Sequence, residues 1–169
     1  MLPSTPLRPP EKLNSDHQLA DFDSGNLQLD DWLKRRAIKN ELTGASRTYV
    51  LCIDQAVIAY YCLANGAIAQ AVATGRVRRN MPEPIPVMVI GRLAVDRHWQ
   101  GRGLGRSLLR DAILRTLQAA EIVGIRAILV HAISEAAQQF YEKQGFVASP
   151  VDPMTLMIRV SDARAAIEA

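Results

Sequence analysis

The distribution of apolar residues predicts several strands around one long apolar run. This run, Val87–Val95, reads VMVIGRLAV and has the composition of a strand that is buried on both faces. Arg47–Ile53 and Val57–Leu63 are two further strand-like segments, and the short polar connection between them predicts a hairpin. Ala127–Ala132 is a fourth apolar segment. Because a helical pattern separates it from Val87–Val95, we expect these two strands to be parallel.

Other stretches show the spacing of helices. Asp21–Asn40 carries its apolar residues at positions that share one face of a helix, and Leu104–Ile122 does the same until Gly124. A short helix is predicted around the arginines at positions 76, 78 and 79, where three alternating prolines follow. Ser134 is a capping residue that begins a last predicted helix, and Gly145 closes it.

The chain ends have weaker signals. Residues 1–10 are rich in proline and are expected to be loosely ordered, with a short edge strand near Lys12 and Leu13. Phe146 is expected to begin another strand. The length of 169 residues suits a single domain, spanning residues 1–169, that buries enough apolar surface to need no disulfide.

A glycine-rich stretch follows the long apolar strand and precedes a helix. Its alternating residues are Gly101, Arg102, Gly103, Leu104, Gly105 and Arg106. A strand, a glycine turn and a helix N-terminus bring free backbone N–H groups and the positive end of the helix dipole to one point, which favours phosphate binding. The dinucleotide pattern G-x-G-x-x-G fails because Arg106 occupies its last glycine position. The P-loop pattern fails because no glycine stands five residues before Gly105.

Three arginines at the start of this helix strengthen the phosphate interpretation. Arg102, Arg106 and Arg110 recur every four residues. Cations at a helix N-terminus oppose the dipole and repel one another, and a bound anion would relieve both effects. A ligand phosphate therefore explains this spacing better than solubility alone.

Composition narrows the class of protein only slightly. The formal charge of +3 and the pI near 9.1 permit a nucleic-acid partner without requiring one. Cys52 and Cys62 lie in apolar runs without metal-site spacing, so we expect reduced core cysteines and no metal. The N-terminus lacks the pattern of a signal peptide, and no apolar run is long enough to span a membrane. We therefore expect a cytoplasmic protein.

Two motifs resemble the GNAT superfamily of N-acetyltransferases. The first is Gln-x-x-Gly-x-Gly, which is similar to the acetyl-CoA pyrophosphate loop and consists of Gln100, Gly103 and Gly105. The second consists of Ala137, Phe140, Tyr141, Gly145 and Phe146. The resemblance implies an α+β (mixed α/β) fold with a central mixed sheet of about six to seven strands and helices on both faces. It also implies acetyl-CoA as the cosubstrate.

The resemblance further implies roles for single residues. Tyr141 would protonate the departing CoA thiolate, while the backbone near Leu93 holds the acetyl oxygen and Val95 holds the pantetheine arm. The residues of the pyrophosphate loop would be Gln100, Gly101, Arg102, Gly103, Leu104, Gly105, Arg106 and Ser107. Many GNAT enzymes carry an asparagine after the next strand. This sequence has Ser134 there instead, so that CoA contact is either missing or supplied by Ser134.

A narrower group is also similar to this sequence, namely the acetyltransferase toxins of bacterial toxin–antitoxin pairs. The matching segments are Asp31–Leu33, Thr43–Thr48, Tyr60–Tyr61, Arg78–Pro82, Gly91–Asp96 and Pro153–Met154. The resemblance implies transfer of acetyl to the α-amino group of aminoacyl-tRNA, which blocks translation. It also implies a ribbon-helix-helix antitoxin and a homodimer. The candidate RNA-binding residues are Lys34, Arg35, Arg36, Lys39, Arg78 and Arg79.

Two other functions stay open from the sequence. One is a GNAT enzyme for a small amine, such as a polyamine or aminoglycoside, or for a protein amine. The other is a CoA-binding module without catalysis, since backbone contacts to CoA do not need Tyr141. A small cationic amine would call for an acidic acceptor pocket, and the arginines near the site argue against one.

Overall fold

The computed structural model describes residues 7–169, and a seven-stranded mixed sheet forms the centre of the fold. The strands are β1 (Glu11–Lys12), β2 (Arg47–Ile53), β3 (Ala56–Ile68), β4 (Ile85–Val95), β5 (Ala127–His131), β6 (Val147–Ser149) and β7 (Asp152–Arg159). Their order in the sheet is β1-β2-β3-β4-β5-β7-β6. β4 and β5 are parallel, whereas the β1–β2, β2–β3, β5–β7 and β6–β7 pairs are antiparallel. The predicted fold class and the parallel β4–β5 pair are therefore confirmed.

Six helices accompany the sheet within the described residues. They are α1 (Leu27–Arg35), α2 (Ala37–Thr43), α3 (Gly75–Arg78), α4 (Leu104–Ala120), α5 (Glu135–Lys143) and α6 (Val160–Glu168). The arginine-bearing short helix and the helix capped by Ser134 are confirmed. α4 ends at Ala120, two residues before the predicted end. β7 and α6 were not predicted from the sequence. No helix in this part of the chain is long and apolar enough to cross a membrane.

The predicted helix over Asp21–Asn40 is wrong in two respects. The helix begins only at Leu27, because the Asn26 side chain accepts a hydrogen bond from the Leu29 N–H at 3.1 Å and so caps it. It is also interrupted at Arg36, where φ is −120° and α1 gives way to α2. No glycine or proline marks the interruption, so helical spacing alone could not reveal it.

One compact unit consists of the described residues up to Leu63 together with Arg92–Asp111. Its core contains Phe22, Leu33, Val50 and Tyr60, all buried. The Tyr60 hydroxyl donates a hydrogen bond to the backbone oxygen of Leu29 at 2.6 Å, which satisfies a polar group inside an apolar cluster. α1 is therefore held by apolar packing and by one buried hydrogen bond.

The second compact unit consists of Ala64–Gly91 and Ala112–Ala169. Its core includes Val77, Ile85, Val87, Leu129 and Met157. A guanidinium closes α3: Arg126 donates to the backbone oxygens of Val77, Arg76 and Arg79 at 3.0, 2.9 and 3.2 Å. Because the last carbonyls of a helix lack partners within the helix, this side chain stabilises a helix of only four residues.

Of the expectations for the N-terminus, only the short edge strand can be compared with the structure, and the loose order of residues 1–10 stays a prediction. Residues 1–6 lie outside the described residues, and residues 7–10 have no regular secondary structure. β1 pairs with β2 through Glu11 and Lys12, which confirms the short edge strand. That residues 1–169 form a single domain stays a prediction.

Candidate active site

The glycine-rich stretch forms a tight turn that leads directly into α4. β4 ends at Val95, a single 3-10 turn covers Arg97–Trp99, and α4 begins at Leu104. Gly101 and Gly103 have φ values of +78° and +81°, a region that side chains disfavour. No other atom lies within 4 Å of a Cβ placed at either position. Backbone conformation, rather than crowding, therefore requires glycine here.

This turn exposes the N–H groups that a phosphate would need. The Ser107 N–H donates to the Gly103 oxygen at 3.1 Å and begins the hydrogen-bond ladder of α4. The N–H groups of Leu104, Gly105 and Arg106 precede that bond and have no partner within the helix. The Ser107 hydroxyl also bonds the Gly103 oxygen, at 3.3 Å, and so holds the turn closed. The geometry suits an anion at the N-terminus of α4.

The arginines of this stretch lie at the surface. Arg102, Arg106 and Arg110 are all exposed. The Arg102 guanidinium lies 4.8 Å from the centre of the Trp99 ring, a cation–π distance. Arg102 and Arg106 flank the helix N-terminus in the sequence, whereas Arg110 lies in the second turn of α4.

Gln100 has a positioning contact that the motif did not reveal. Its side-chain amide donates to the Val95 oxygen at 2.8 Å and to the Ser24 oxygen at 2.9 Å. Both amide hydrogens are therefore bound to the protein. Gln100 joins the end of β4, the glycine turn and the segment before α1, so that contact with a cofactor is left to its backbone and its side-chain oxygen.

Asp96 continues this network beneath the turn. The buried carboxylate accepts hydrogen bonds from the Asp23 N–H at 3.0 Å, the His98 N–H at 2.9 Å and the His98 Nδ1 at 3.0 Å. Burial opposes ionisation of Asp96. These donors outweigh it and hold the pKa of the carboxyl below its usual value.

A surface ion pair completes the same network. The Arg97 guanidinium contacts the Asp23 carboxylate with Nε at 3.0 Å and Nη2 at 3.1 Å, and the Arg97 N–H donates to the Asp23 oxygen at 2.8 Å. We call Asp23, Ser24, Asp96, Arg97 and Gln100 the loop anchor. Of these residues only Gln100 was predicted as part of the site.

Leu93 and Val95, the predicted acetyl and pantetheine positions, lie in the last part of β4. Both are half-buried, and the intervening Ala94 is buried. Alternation along a strand places the Leu93 and Val95 side chains on the same face. The proposed contacts to acetyl-CoA involve their backbone groups and stay predictions.

Tyr141, the predicted proton donor, belongs to the second compact unit. Its ring is buried on α5 between Phe140 and Phe146, with ring centres 5.2 and 5.5 Å away. Burial raises the pKa of Tyr141 to about 12. Among residues 7–169 its hydroxyl has no hydrogen-bond partner. The phenol is thus protonated at neutral pH and free to donate its proton.

Ser134 acts first as a helix cap. Its hydroxyl accepts a hydrogen bond from the Ala137 N–H at 3.1 Å at the start of α5. The side chain is exposed and keeps its own proton for donation. Capping does not exclude a contact to CoA, which stays a prediction.

The predicted RNA-binding residues are all exposed. Lys34 and Arg35 end α1, Arg36 is the interruption and Lys39 follows in α2. Within the described range, none of these four side chains forms an ion pair or a hydrogen bond. Arg78 and Arg79, in the second unit, end α3 and are also exposed.

One cluster within the described residues has the side chains of a metal site. Ligand atoms of Glu11, His17 and Cys52 lie within 4.8 Å of one another. The Asn14 N–H donates to His17 Nδ1 at 3.0 Å, so the proton of a neutral ring is on Nε2, which faces Glu11 at 3.1 Å. Burial raises the pKa of the Cys52 thiol to about 11. Both protons would have to leave for a metal to bind, and we assign this cluster a structural role.

Known proteins are similar to this chain over most of its length. The acetyltransferase (GNAT) domain family matches residues 44–148. A protein of Mycobacterium tuberculosis named tRNA-acetylating toxin is 51% identical over 158 residues, which cover 94% of this chain and 95% of that protein.

Solved structures of the toxin AtaT are also similar. AtaT complexed with acetyl-methionyl-tRNAfMet has a TM-score of 0.87 at 27% identity, covering 96% of this chain and 99% of that chain. A tyrosine-to-phenylalanine mutant of AtaT, bound to the C-terminus of the antitoxin AtaR and acetyl-CoA, has a TM-score of 0.83 at 26% identity. That match covers 98% of this chain and 100% of the other.

Proposed function

The chain belongs to the GNAT acetyltransferase family, and we propose that it is the toxin of a toxin–antitoxin pair that acetylates the α-amino group of aminoacyl-tRNA. The blocked amino acid can no longer accept the growing peptide, so translation stops. The observation that carries this proposal is the glycine turn at the N-terminus of α4, combined with 51% identity to a tRNA-acetylating toxin over nearly the whole chain.

Acetyl-CoA is the acetyl donor in this proposal. The N–H groups at the start of α4 would hold its pyrophosphate, with Gly101 and Gly103 supplying the backbone conformation and Arg102 and Arg106 the surrounding positive charge. The loop anchor fixes this turn against β4 before the cosubstrate arrives. Affinity would therefore depend partly on groups that lie beneath the turn, such as the buried Asp96 carboxylate, and not only on groups that contact acetyl-CoA.

The acceptor amine needs little help to become a nucleophile. An unperturbed α-amino group has a pKa of about 8, so an appreciable neutral fraction exists near neutral pH. A water molecule suffices to take its proton. The reaction requires no metal, because backbone N–H groups near Leu93 can polarise the thioester carbonyl.

Tyr141 would supply the proton that the leaving thiolate accepts. A thiol has a pKa of roughly 8.5, so the thiolate is a moderate leaving group and a protonated neighbour accelerates its departure. The buried, protonated phenol of Tyr141 fits that role. Its hydroxyl is not committed to another described residue, as a proton donor requires.

The partners follow from the same similarity. AtaT binds tRNA and the C-terminus of the antitoxin AtaR in solved structures. We infer that this chain likewise pairs with an antitoxin, of the ribbon-helix-helix class, that it forms a homodimer and that it acts in the cytoplasm. The unpaired cations Lys34, Arg35, Arg36 and Lys39, together with Arg78 and Arg79, would contact the tRNA backbone.

The first experiment is to incubate the purified protein with acetyl-CoA and a mixed pool of charged tRNA, and to identify N-acetylated aminoacyl groups by mass spectrometry. Acetylation of one or a few amino acids is expected. Tyr141→Phe should lower turnover by about a hundredfold with little change in acetyl-CoA affinity, because only the proton is lost. Equal turnover in the two proteins at saturating acetyl-CoA contradicts the role of Tyr141.

The absence of aminoacyl-tRNA acetylation would show which part of the proposed function is wrong. If the protein binds acetyl-CoA and leaves every aminoacyl-tRNA unmodified, the acceptor is another amine. Polyamines, aminoglycosides and peptide amines should then be assayed with the same protein. A positive result with any of them, and none with tRNA, replaces the proposed function.

A further inference from the structure

Arg92, the residue directly before Leu93 in the sequence, lies at one end of a stack of aromatic rings. The Arg92 guanidinium carbon is 4.3 Å from the centre of the Trp32 ring, a cation–π contact. Trp32 in turn stacks on Tyr60, with ring centres 6.0 Å apart and planes inclined by 9°. Arg92 thus lies over Trp32, which itself stacks on Tyr60.

The base of this stack is fixed. Tyr60 is fully buried, donates its hydroxyl hydrogen to the Leu29 oxygen, and contacts the edge of Phe22 with ring centres 5.6 Å apart. Trp32 lies on α1, so the same hydrogen bond ties its helix to the ring beneath it. Arg92 has little freedom to turn away.

The guanidinium edge of Arg92 is left without a protein partner. In the part of the chain that the structure describes, Arg92 forms no hydrogen bond and no ion pair. The buried carboxylate of Asp30 on α1 is bound by Ser24, which donates to it from its hydroxyl at 2.6 Å and from its N–H at 3.0 Å. A half-buried cation without an acid is costly, and five N–H donors in a rigid fork match a phosphate.

The position of Arg92 connects two parts of the proposed site. It directly precedes Leu93 in β4, and its stacking partner Trp32 lies on the same helix, α1, whose C-terminal end carries Lys34 and Arg35. An acceptor whose amine reaches the acetyl group near Leu93 and whose backbone follows α1 would pass the Arg92 fork. The part of tRNA that meets this description is its single-stranded 3′ end.

We propose that Arg92, lying over Trp32, binds a backbone phosphate in the single-stranded 3′ end of the aminoacyl-tRNA and so positions the amine. This inference rests on the proposed function and adds a specificity-determining residue to it. Trp32 is a positioning residue, because it acts on the substrate only through Arg92. An acceptor that has no phosphate at this position would gain no affinity from Arg92 and Trp32.

The test compares two small acceptors that differ in phosphate. One is an aminoacylated CCA trinucleotide and the other is an aminoacyl-adenosine analogue without phosphate. Arg92→Ala should raise KM for the trinucleotide by about tenfold or more, the scale of removing one charge-assisted hydrogen bond. Its KM for the nucleoside should stay unchanged. Arg92→Lys should recover only part of the affinity, because lysine lacks the planar fork.

Controls separate the alternatives. Trp32→Leu should reproduce the trinucleotide defect of Arg92→Ala, and the double variant should be no worse than either. Arg164→Ala removes an arginine of α6 that pairs with Glu121 at 3.3 Å, and it should change neither KM. Equal losses on both acceptors, or no loss on the trinucleotide, overturn the proposal. A weaker Kd for acetyl-CoA in Arg92→Ala also overturns it, since the phosphate would then be that of CoA.

The proposed function and this inference can fail separately. If the wild-type protein acetylates neither aminoacyl-tRNA nor the trinucleotide, the proposed function is wrong, and the role of Arg92 falls with it. If it acetylates both and the Arg92 variants behave like wild type, only the role of Arg92 is wrong.

Discussion

The loop anchor and the basic surface differ in whether their charged groups have partners among the described residues. The basic surface consists of four residues of α1, α2 and their junction, namely Lys34, Arg35, Arg36 and Lys39. In the loop anchor, every carboxylate and amide is bound: Asp96 accepts three hydrogen bonds, Asp23 holds Arg97 and Gln100 donates two. On the basic surface, Lys34 and Lys39 have no partner among the described residues. The polar groups of the loop anchor are satisfied within the described residues, whereas these residues do not neutralise the charges of the two lysines.

This contrast indicates how the two substrates are recognised. A pyrophosphate on backbone N–H groups needs a turn that is already correctly shaped, because backbone groups cannot reach out as side chains can. An RNA backbone can be bound by long, flexible side chains that carry positive charge. Their unpaired charge also speeds association. We therefore expect changes in the loop anchor to reduce stability and cofactor affinity, and changes on the basic surface to affect RNA binding alone.

The largest effect is expected from Asp96→Ala. Removing the buried carboxylate leaves two backbone N–H groups without an acceptor, which should lower the free energy of unfolding by about 2–4 kcal/mol. Urea denaturation measures this loss, and the Kd for acetyl-CoA should rise with it. Asp21→Ala is the control, since Asp21 is an exposed aspartate near Asp23 in the segment before α1. An Asp96 variant as stable as that control contradicts the anchoring role.

The pH dependence of stability follows from the same group. The pKa of Asp96 is lower in the folded protein than its ordinary value. Its contribution is therefore present above the unfolded pKa of about 4 and is lost as pH falls through the folded value. The wild-type protein should lose more stability than Asp96→Ala between neutral pH and acid.

The sequence patterns predicted features formed by residues that are close in sequence, and they missed contacts between residues that are far apart in sequence. The glycine turn was predicted because Gln100, Gly103 and Gly105 are close in sequence and follow an apolar strand. The contact of Asp96 with the Asp23 N–H was not, because 73 residues separate the two. Spacing also gave no sign of the interruption at Arg36. Such features are decided by tertiary packing.

A smaller effect is expected from the basic surface. Lys34→Ala combined with Lys39→Ala removes two unpaired cations, so tRNA binding should weaken. The fall of log K with log salt should become less steep, by roughly 0.7–0.9 in slope for each phosphate that the variant no longer neutralises. Unfolding free energy should stay within about 0.5 kcal/mol of wild type, because both side chains are exposed.

The control pair for this prediction removes the same charge elsewhere. Lys12→Ala with Arg164→Ala eliminates one cation from β1 and one from α6. This variant should keep the wild-type salt slope. If both pairs change the slope equally, overall charge rather than the basic surface governs binding, and the contrast between the two regions has no functional meaning.

The smallest expected effect is on the pH profile of turnover, which depends on the buried ring and the unbound hydroxyl of Tyr141. Burial raises its pKa to about 12, so the phenol stays protonated throughout the range in which the acceptor amine, with a pKa of about 8, becomes neutral. Turnover measured against pH should rise to about 8 and then stay level to about 10. A fall that begins below about pH 10 and is absent in Tyr141→Phe would mean that Tyr141 loses its proton early. Its hydroxyl would then have to lie in a more polar environment than its buried ring indicates.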